Sequence, residues 1–239
     1  MDDLSPRQSL LDFPITRRWP PADPTKIQLY SFPTPNGVKV SIALEELGLP
    51  YEAHKVTLAE EDVKSPEFLS LNPNNKIPAI IDPDGPDGAP IGLFESGAIL
   101  LYLANKTGRL IGQTPRDRAV VTQWLMFQMG GIGPMFGQLG YFYAYGGKDI
   151  ADERPRRRYV DETRRLLDVL EGQLDSRDWI AGAYSIADIA IAPWLRTLET
   201  GYDALETLGW TDFPNVAAYR DRFLARPAVQ RGLIIPPRD

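Results

Sequence analysis

No thiol nucleophile, disulfide or thiolate metal centre can form from this chain's own side chains, because its 239 residues include no cysteine. A single histidine, His54, argues against a Ser-His-Asp hydrolase or a His-rich metal site. The remaining candidates hold and polarise rather than attack. Thr34 and Asn36, in Thr34-Pro35-Asn36-Gly37, offer a hydroxyl and an amide, both able to donate to an anion. Glu95-Ser96 sets an acid beside a hydroxyl at a helix start, where backbone amides favour a carboxylate. Lys76, ahead of Ile77-Pro78, and Arg158, in a run of three arginines, are cations able to meet an anion. Each has a plainer structural reading. Pro-Asn-Gly makes turns, a Ser near a Glu caps helices, a lone lysine is a solvated charge, and an arginine run is a solvated face. For Arg156 and Arg157 the solvated face is the expectation.

The elements that must position these groups follow from periodicity. Lys26 to Phe32 alternates as a strand, and Pro33 to Gly37 is a turn. Val38 to Leu47 has helical spacing and stops at Gly48. Tyr51 to Leu58 reads as a second strand. Ser65 caps a short helix to Leu71, with Phe68 and Leu69 facing in. Ile77 to Asp82 and Ile91 to Phe94 form a hairpin across the loop Pro83 to Pro90, with Gly92 awkward inside its second strand. Glu95 to Lys106 is a helix closed by Gly108. One parallel crossover, then an antiparallel hairpin, with helices on the sheet, is an α/β thioredoxin-like arrangement over residues 26–110. From residue 114 to 239 the pattern is all-α: helices over roughly 115–130, 134–146, 155–175, 185–200 and 214–225 suit a helical bundle. Residues 1–25 form an N-terminal extension broken by prolines. They read either as a disordered tail or as an arm that buries Phe13, Ile15 and Trp19 on the body or on a second subunit.

Composition limits the partners. The net charge of -6 repels phosphate backbones and anionic membranes, so no nucleic acid and no membrane partner is expected. No apolar run approaches the ~20 residues of a membrane helix. Asp2 and Asp3 carry the wrong charge for a secretory leader, so a cytoplasmic location is expected. No metal is expected.

Several runs, in order and spacing, resemble one family. Asn75-Lys76-Ile77-Pro78-Ala79 is similar to a cis-proline loop, and Phe94-Glu95-Ser96-Gly97-Ala98-Ile99 to a γ-glutamyl-binding segment. Ser185-Ile186-Ala187-Asp188 is similar to the capping box of a helical domain. With Thr34-Pro35-Asn36-Gly37, Gly131 to Met135 and Arg158-Tyr159, these runs resemble the glutathione transferase superfamily, nu class, the glutathione-dependent disulfide-bond oxidoreductases. The resemblance spans about residues 26–235 and implies the glutathione transferase fold.

It also implies a chemistry. Glutathione, reduced or oxidised and up to two per site, would supply the missing sulfur. Thr34 and Asn36 would act as catalytic donors to its thiolate, lowering its pKa. Ile77 would pair its backbone with the cysteinyl residue, Lys76 would meet a carboxylate, and Glu95 and Ser96 would hold the γ-glutamyl end. Arg158 would reach the thiol region or a carboxylate. The substrate would be a small disulfide, or an electrophile in the rival reading of conjugation, met in a cleft between the domains. A third reading is a non-enzymatic glutathione-binding regulatory module. A homodimer is implied, with the first domain of one subunit on the helical domain of the other. Ser185 and Asp188 are expected to serve folding: Ser185 Oγ capping the Asp188 amide, the carboxylate returning to Ser185 N–H, with Tyr184 and Ile189 as a staple. The aromatics Phe136, Tyr141, Phe142, Tyr143 and Tyr145 are too dense for one helix face, so they divide between core and the lining of a cleft.

Overall fold

A computed structural model describes residues 9–238. The chain falls into two compact units. One runs to Leu103 and takes back the C-terminal stretch from Arg231; the other is Ala104–Gln230.

The first unit is built on β1 (Ile27–Ser31), a strand buried along its whole length. It lies between β2 (Tyr51–Lys55), parallel to it, and β3 (Ala79–Asp82), antiparallel; β4 (Ile91–Phe94) completes the order β2-β1-β3-β4. The crossover between the parallel strands is α1 (Gly37–Leu47). Gly48, at φ 67°, ends it, and the Leu49 amide returns to the Leu44 carbonyl at 3.1 Å. A one-turn helix, α2 (Glu60–Val63), precedes α3 (Pro66–Leu71), whose cap is Ser65 Oγ accepting from Phe68 N at 3.2 Å. Phe68 and Leu71 are the buried residues of α3, whereas Leu69 is only half-buried. Gly92 sits within β4 because a Cβ there would come 2.6 Å from Leu71 Cδ1 and 2.9 Å from Phe13 Cε1. The last helix begun in this unit is α4 (Ser96–Thr107).

The described part of the extension packs on the sheet. Leu10 and Ile15 lie in one cluster with Tyr30, Phe68, Leu71 and Ile81. Trp19 meets the rings of Tyr30 and Phe68 edge-on, and its Nε1 donates to the Lys55 carbonyl at 3.1 Å. Glu52 accepts from the Ala22 and Asp23 amides, and Arg18 pairs with Asp62 at 2.6 Å. Residues 1–8 of the extension lie outside the described residues. The C-terminal stretch is tied to the same unit: Ser41 Oγ donates to the Gly232 carbonyl at 2.7 Å, and Arg231 pairs with Glu45 at 2.6 Å.

The second unit is helical: α5 (Pro115–Phe127), α6 (Gly133–Tyr143), α7 (Arg154–Leu174), α8 (Ile186–Thr200), α9 (Pro214–Leu224) and α10 (Pro227–Gly232), which runs on into the first unit. Thr114 and Asp117 cap α5 reciprocally, each at 3.1 Å. A π-helical turn, Gln128–Ile132, carries the chain from α5 into α6 where the glycine-rich run suggested a kink. Nearly all of α8 is buried. Asp188 Oδ2 accepts from Ser185 N at 2.8 Å and Oδ1 from Ile180 N at 3.0 Å. Ser185 Oγ accepts from the Ala187 amide at 3.3 Å and also, as expected, caps the Asp188 amide, so the reciprocal capping box is complete. Burial pushes the Asp188 carboxyl up to about 6, against the opposing pull of the Ile180 and Ser185 amides.

Among the aromatics, Phe136 is core, and Phe142 stacks on Tyr159 with centroids 5.4 Å apart. Tyr143 Oη bonds Thr207 Oγ1 at 2.8 Å, while Tyr141 and Tyr145 are exposed. Arg156 departs from the solvated role expected of it. Its guanidinium is half-buried and donates to the Phe142 carbonyl at 3.3 Å and the Lys148 carbonyl at 2.5 Å, pinning the loop before α7.

Candidate functional site

The site begins where β1 hands over to α1. Thr34 N donates to the Phe32 carbonyl at 2.7 Å, and the Thr34 carbonyl accepts from Val38 N at 3.0 Å, so the turn closes directly into the helix. Gly37 is required there: a Cβ would lie 1.9 Å from the Phe32 oxygen. Thr34 Oγ1 accepts from Gly37 N at 3.2 Å, which leaves its hydroxyl hydrogen to donate elsewhere. Asn36 stands at the N-cap without capping the helix through its side chain. Its Oδ1 instead accepts from Lys39 Nζ at 2.9 Å. The same Nζ lies 3.3 Å from Ser96 Oγ at the start of α4. Both half-buried side chains of the turn therefore spend their oxygens on protein donors and keep N–H or O–H to offer, at a helix N-terminus that favours negative charge.

Lys39 was not legible as a site residue. It is fully buried, as is every residue from Gly37 to Leu44. Burial pushes its ammonium down to about 7, with the Glu95 carboxylate acting in the opposite sense. The signal in the sequence was a lysine inside Val38-Lys39-Val40-Ser41-Ile42-Ala43-Leu44, three residues after Asn36. A charge in such an apolar stretch, one helical turn from a donor, needs a polar partner.

Glu95 is exposed and adopts φ 70°, a left-handed conformation that costs a non-glycine residue about 1–3 kcal/mol. It leads into Ser96, which is buried. The Ile77-Pro78 bond is cis; Ile77 is buried and Lys76 exposed. Lys39 thus brings Thr34-Pro35-Asn36 and Glu95-Ser96 together. Among the described residues, no hydrogen bond or ion pair joins Lys76 to that group. Arg158 belongs to the second unit, exposed on α7 in an open surface depression with Arg154, Arg157, Asp161, Glu162 and Arg165. His54 is structural: it stacks on Tyr30 at 4.8 Å and its Nε2 bonds Gln28 Oε1 at 2.7 Å. Among the described residues there is no cluster of His, Asp and Glu able to hold a metal ion, and no helix long and apolar enough to cross a membrane.

Comparison with known proteins identifies both domains. Residues 25–105 match the glutathione S-transferase N-terminal domain, and residues 140–227 match the glutathione S-transferase C-terminal domain. The chain is 43% identical over 210 residues to the disulfide-bond oxidoreductase YfcG of Escherichia coli, covering 87% of this chain and 94% of that one. A glutathione transferase from Pseudomonas putida, solved with one glutathione disulfide per subunit, is 59% identical with a TM-score of 0.94, over 96% of this chain and all of that one. One from Burkholderia graminis, solved with two glutathione molecules per subunit, is 60% identical with a TM-score of 0.95, over 99% of both chains. By both of its domains and by its identity to these relatives over most of its length, the chain belongs to the glutathione S-transferase family.

Proposed function

We propose that this protein is a nu-class, glutathione-dependent disulfide-bond oxidoreductase in which glutathione, consumed as a substrate, brings the only thiol. The observation that carries this reading is the first turn itself: Thr34 and Asn36 present donors, and no nucleophile, at the N-terminus of α1. That arrangement stabilises a thiolate supplied by a ligand and so lowers its pKa toward ambient pH, where thiol–disulfide exchange is fastest. Ser96 and the amides at the start of α4 receive the γ-glutamyl carboxylate, and the exposed Glu95 pairs with its ammonium. Ile77 pairs its backbone with the cysteinyl residue, Lys76 meets a carboxylate, and Arg158 offers its guanidinium to the thiolate or a carboxylate.

The reaction balances without a protein thiol. The bound glutathione thiolate attacks one sulfur of a small disulfide, forming a mixed disulfide and expelling the other sulfur as a thiolate. A second glutathione thiolate then attacks the glutathione sulfur of the mixed disulfide. Oxidised glutathione and a second product thiolate leave, each product thiolate taking one of the two thiol protons. The relatives solved with glutathione disulfide or with two glutathione molecules per subunit support this sequence. A homodimer in the cytoplasm completes the reading, on the family resemblance.

The test is steady-state reduction of a small dialkyl disulfide by reduced glutathione, coupled to glutathione reductase. Turnover well above the uncatalysed rate, lost in a folded Thr34→Ala, Asn36→Ala double variant, is expected. Full activity in that variant removes both residues from the mechanism. Transfer to electrophiles without disulfide turnover favours conjugation, and glutathione binding by calorimetry with neither activity favours a regulatory module.

A further inference from the structure

We propose that Lys39 is a positioning residue: its Nζ, 2.9 Å from Asn36 Oδ1 and 3.3 Å from Ser96 Oγ, fixes the Asn36 amide with Nδ2 turned toward the ligand sulfur and ties that end of the site to the glutamyl end. The inference rests on the glutathione reading above and assigns a role to a residue that reading does not use. Lys39 Nζ donates to Asn36 Oδ1, and its protonated form, with donors only, can face no other atom of that amide than the oxygen. The nitrogen, on the opposite side of the same carbon, then faces away from the buried lysine. Without the lysine the amide has no such constraint, and half of its orientations present an oxygen to a thiolate, which repels it.

The placement is costly enough to need a reason. A fully buried lysine on a helix whose other residues from Val38 to Leu44 are apolar, save the hydrogen-bonded Ser41, gives up its hydration, and a surface position or a methionine would avoid that. Its head bridges the two segments, Thr34-Pro35-Asn36 and Glu95-Ser96, that between them offer donors to a thiolate and to a carboxylate. Lys39 acts through Asn36 and Ser96 and need not touch the reacting sulfur.

The test measures the thiol pKa of bound reduced glutathione from the ultraviolet absorbance of the thiolate, in wild type, Lys39→Met, Asn36→Ala and the double variant. In wild type the value should lie below that of free glutathione. Lys39→Met should raise it by about one unit, a tenfold shift of the thiol–thiolate equilibrium constant toward the thiol. In the Asn36→Ala background the same change should have little further effect, because the amide it orients is gone. Lys39→Gln, which keeps a neutral donor, should recover part of the loss. Equal shifts of thiol pKa in both backgrounds would show that the lysine acts directly by its charge and would overturn the proposal, as would no shift at all. If neither lysine variant folds, heteronuclear NMR of wild type decides. The Asn36 side-chain amide resonances should titrate with the same midpoint as the Lys39 side chain, and independence of the two overturns the assignment. A wild-type protein that binds glutathione without lowering its thiol pKa would instead refute the thiolate reading itself.

Discussion

Asp188→Ala separates folding from chemistry in this protein. The carboxylate is buried and accepts from Ile180 N at 3.0 Å and Ser185 N at 2.8 Å, with Ser185 Oγ at 3.2 Å. Alanine strips the acceptor from two buried backbone amides, at about 1–3 kcal/mol each. Removing a carboxyl that burial already disfavours returns part of that loss, leaving about 2–4 kcal/mol net. For a chain of this size each kcal/mol moves the midpoint by about 2–4 °C, so a drop of about 5–15 °C is expected. Asp188→Asn should fall between wild type and alanine, because one amide oxygen can still accept while its NH2 opposes the other donor. Thermal unfolding followed by circular dichroism gives the stability, and disulfide reduction assayed well below the new midpoint gives the chemistry, which should be unchanged. An unaltered midpoint would refute the capping argument. A well-folded Asp188→Ala protein with a large loss of kcat would show that the residue serves the reaction.

Other perturbations probe the extension and the buried lysine. Ile15→Ala, which empties a fully buried position beneath the sheet, should cost about 2–4 kcal/mol in urea unfolding; a change under half a kcal/mol would mean the arm does not hold its place in solution. Lys39 titrates near 7 in the fold and at its ordinary 10.5 when unfolded, so between those values the unfolded chain holds a proton that the folded chain lacks. Stability of the glutathione-free protein relative to Lys39→Met should therefore rise with pH across that window, by at most about 1.4 kcal/mol per pH unit, and level off below it. A flat difference would mean that Glu95 and the surrounding dipoles offset the burial of the ammonium.

Local signals made much of this molecule readable. Thr114 with Asp117, Ser65 before Pro66 and Gly48 after Leu47 mark helix ends through short-range hydrogen bonds, and β1 was readable from its alternating polarity although the whole strand is buried, its Gln28 being satisfied by His54 and two backbone carbonyls. What escaped depends on contacts distant in sequence. Leu69 and Leu71 are equally apolar, and packing against the extension and the sheet, including the close approach at Gly92, makes Leu71 the buried one. Arg156 sits in a run of charges, but its guanidinium meets carbonyls 14 and 8 residues earlier in the chain. The return of the C-terminus, through Ser41 to Gly232, spans 191 residues and leaves no periodicity. Within the candidate site, the turn at Thr34 and Asn36 and the helix start at Glu95 and Ser96 were legible as local structure, and the family resemblance singled them out for binding. Lys39 was not, because a lysine inside a helix ordinarily points to water and only the fold reveals that this one cannot.

The central claim, that the reacting sulfur is borrowed and held at the first turn, is tested most directly by a crystal structure grown with oxidised glutathione. One sulfur should lie within hydrogen-bond reach of Thr34 Oγ1 and Asn36 Nδ2, with the γ-glutamyl carboxylate of that half on Ser96. A tripeptide bound elsewhere, or bound with its sulfur turned away from Thr34 and Asn36, would contradict the account.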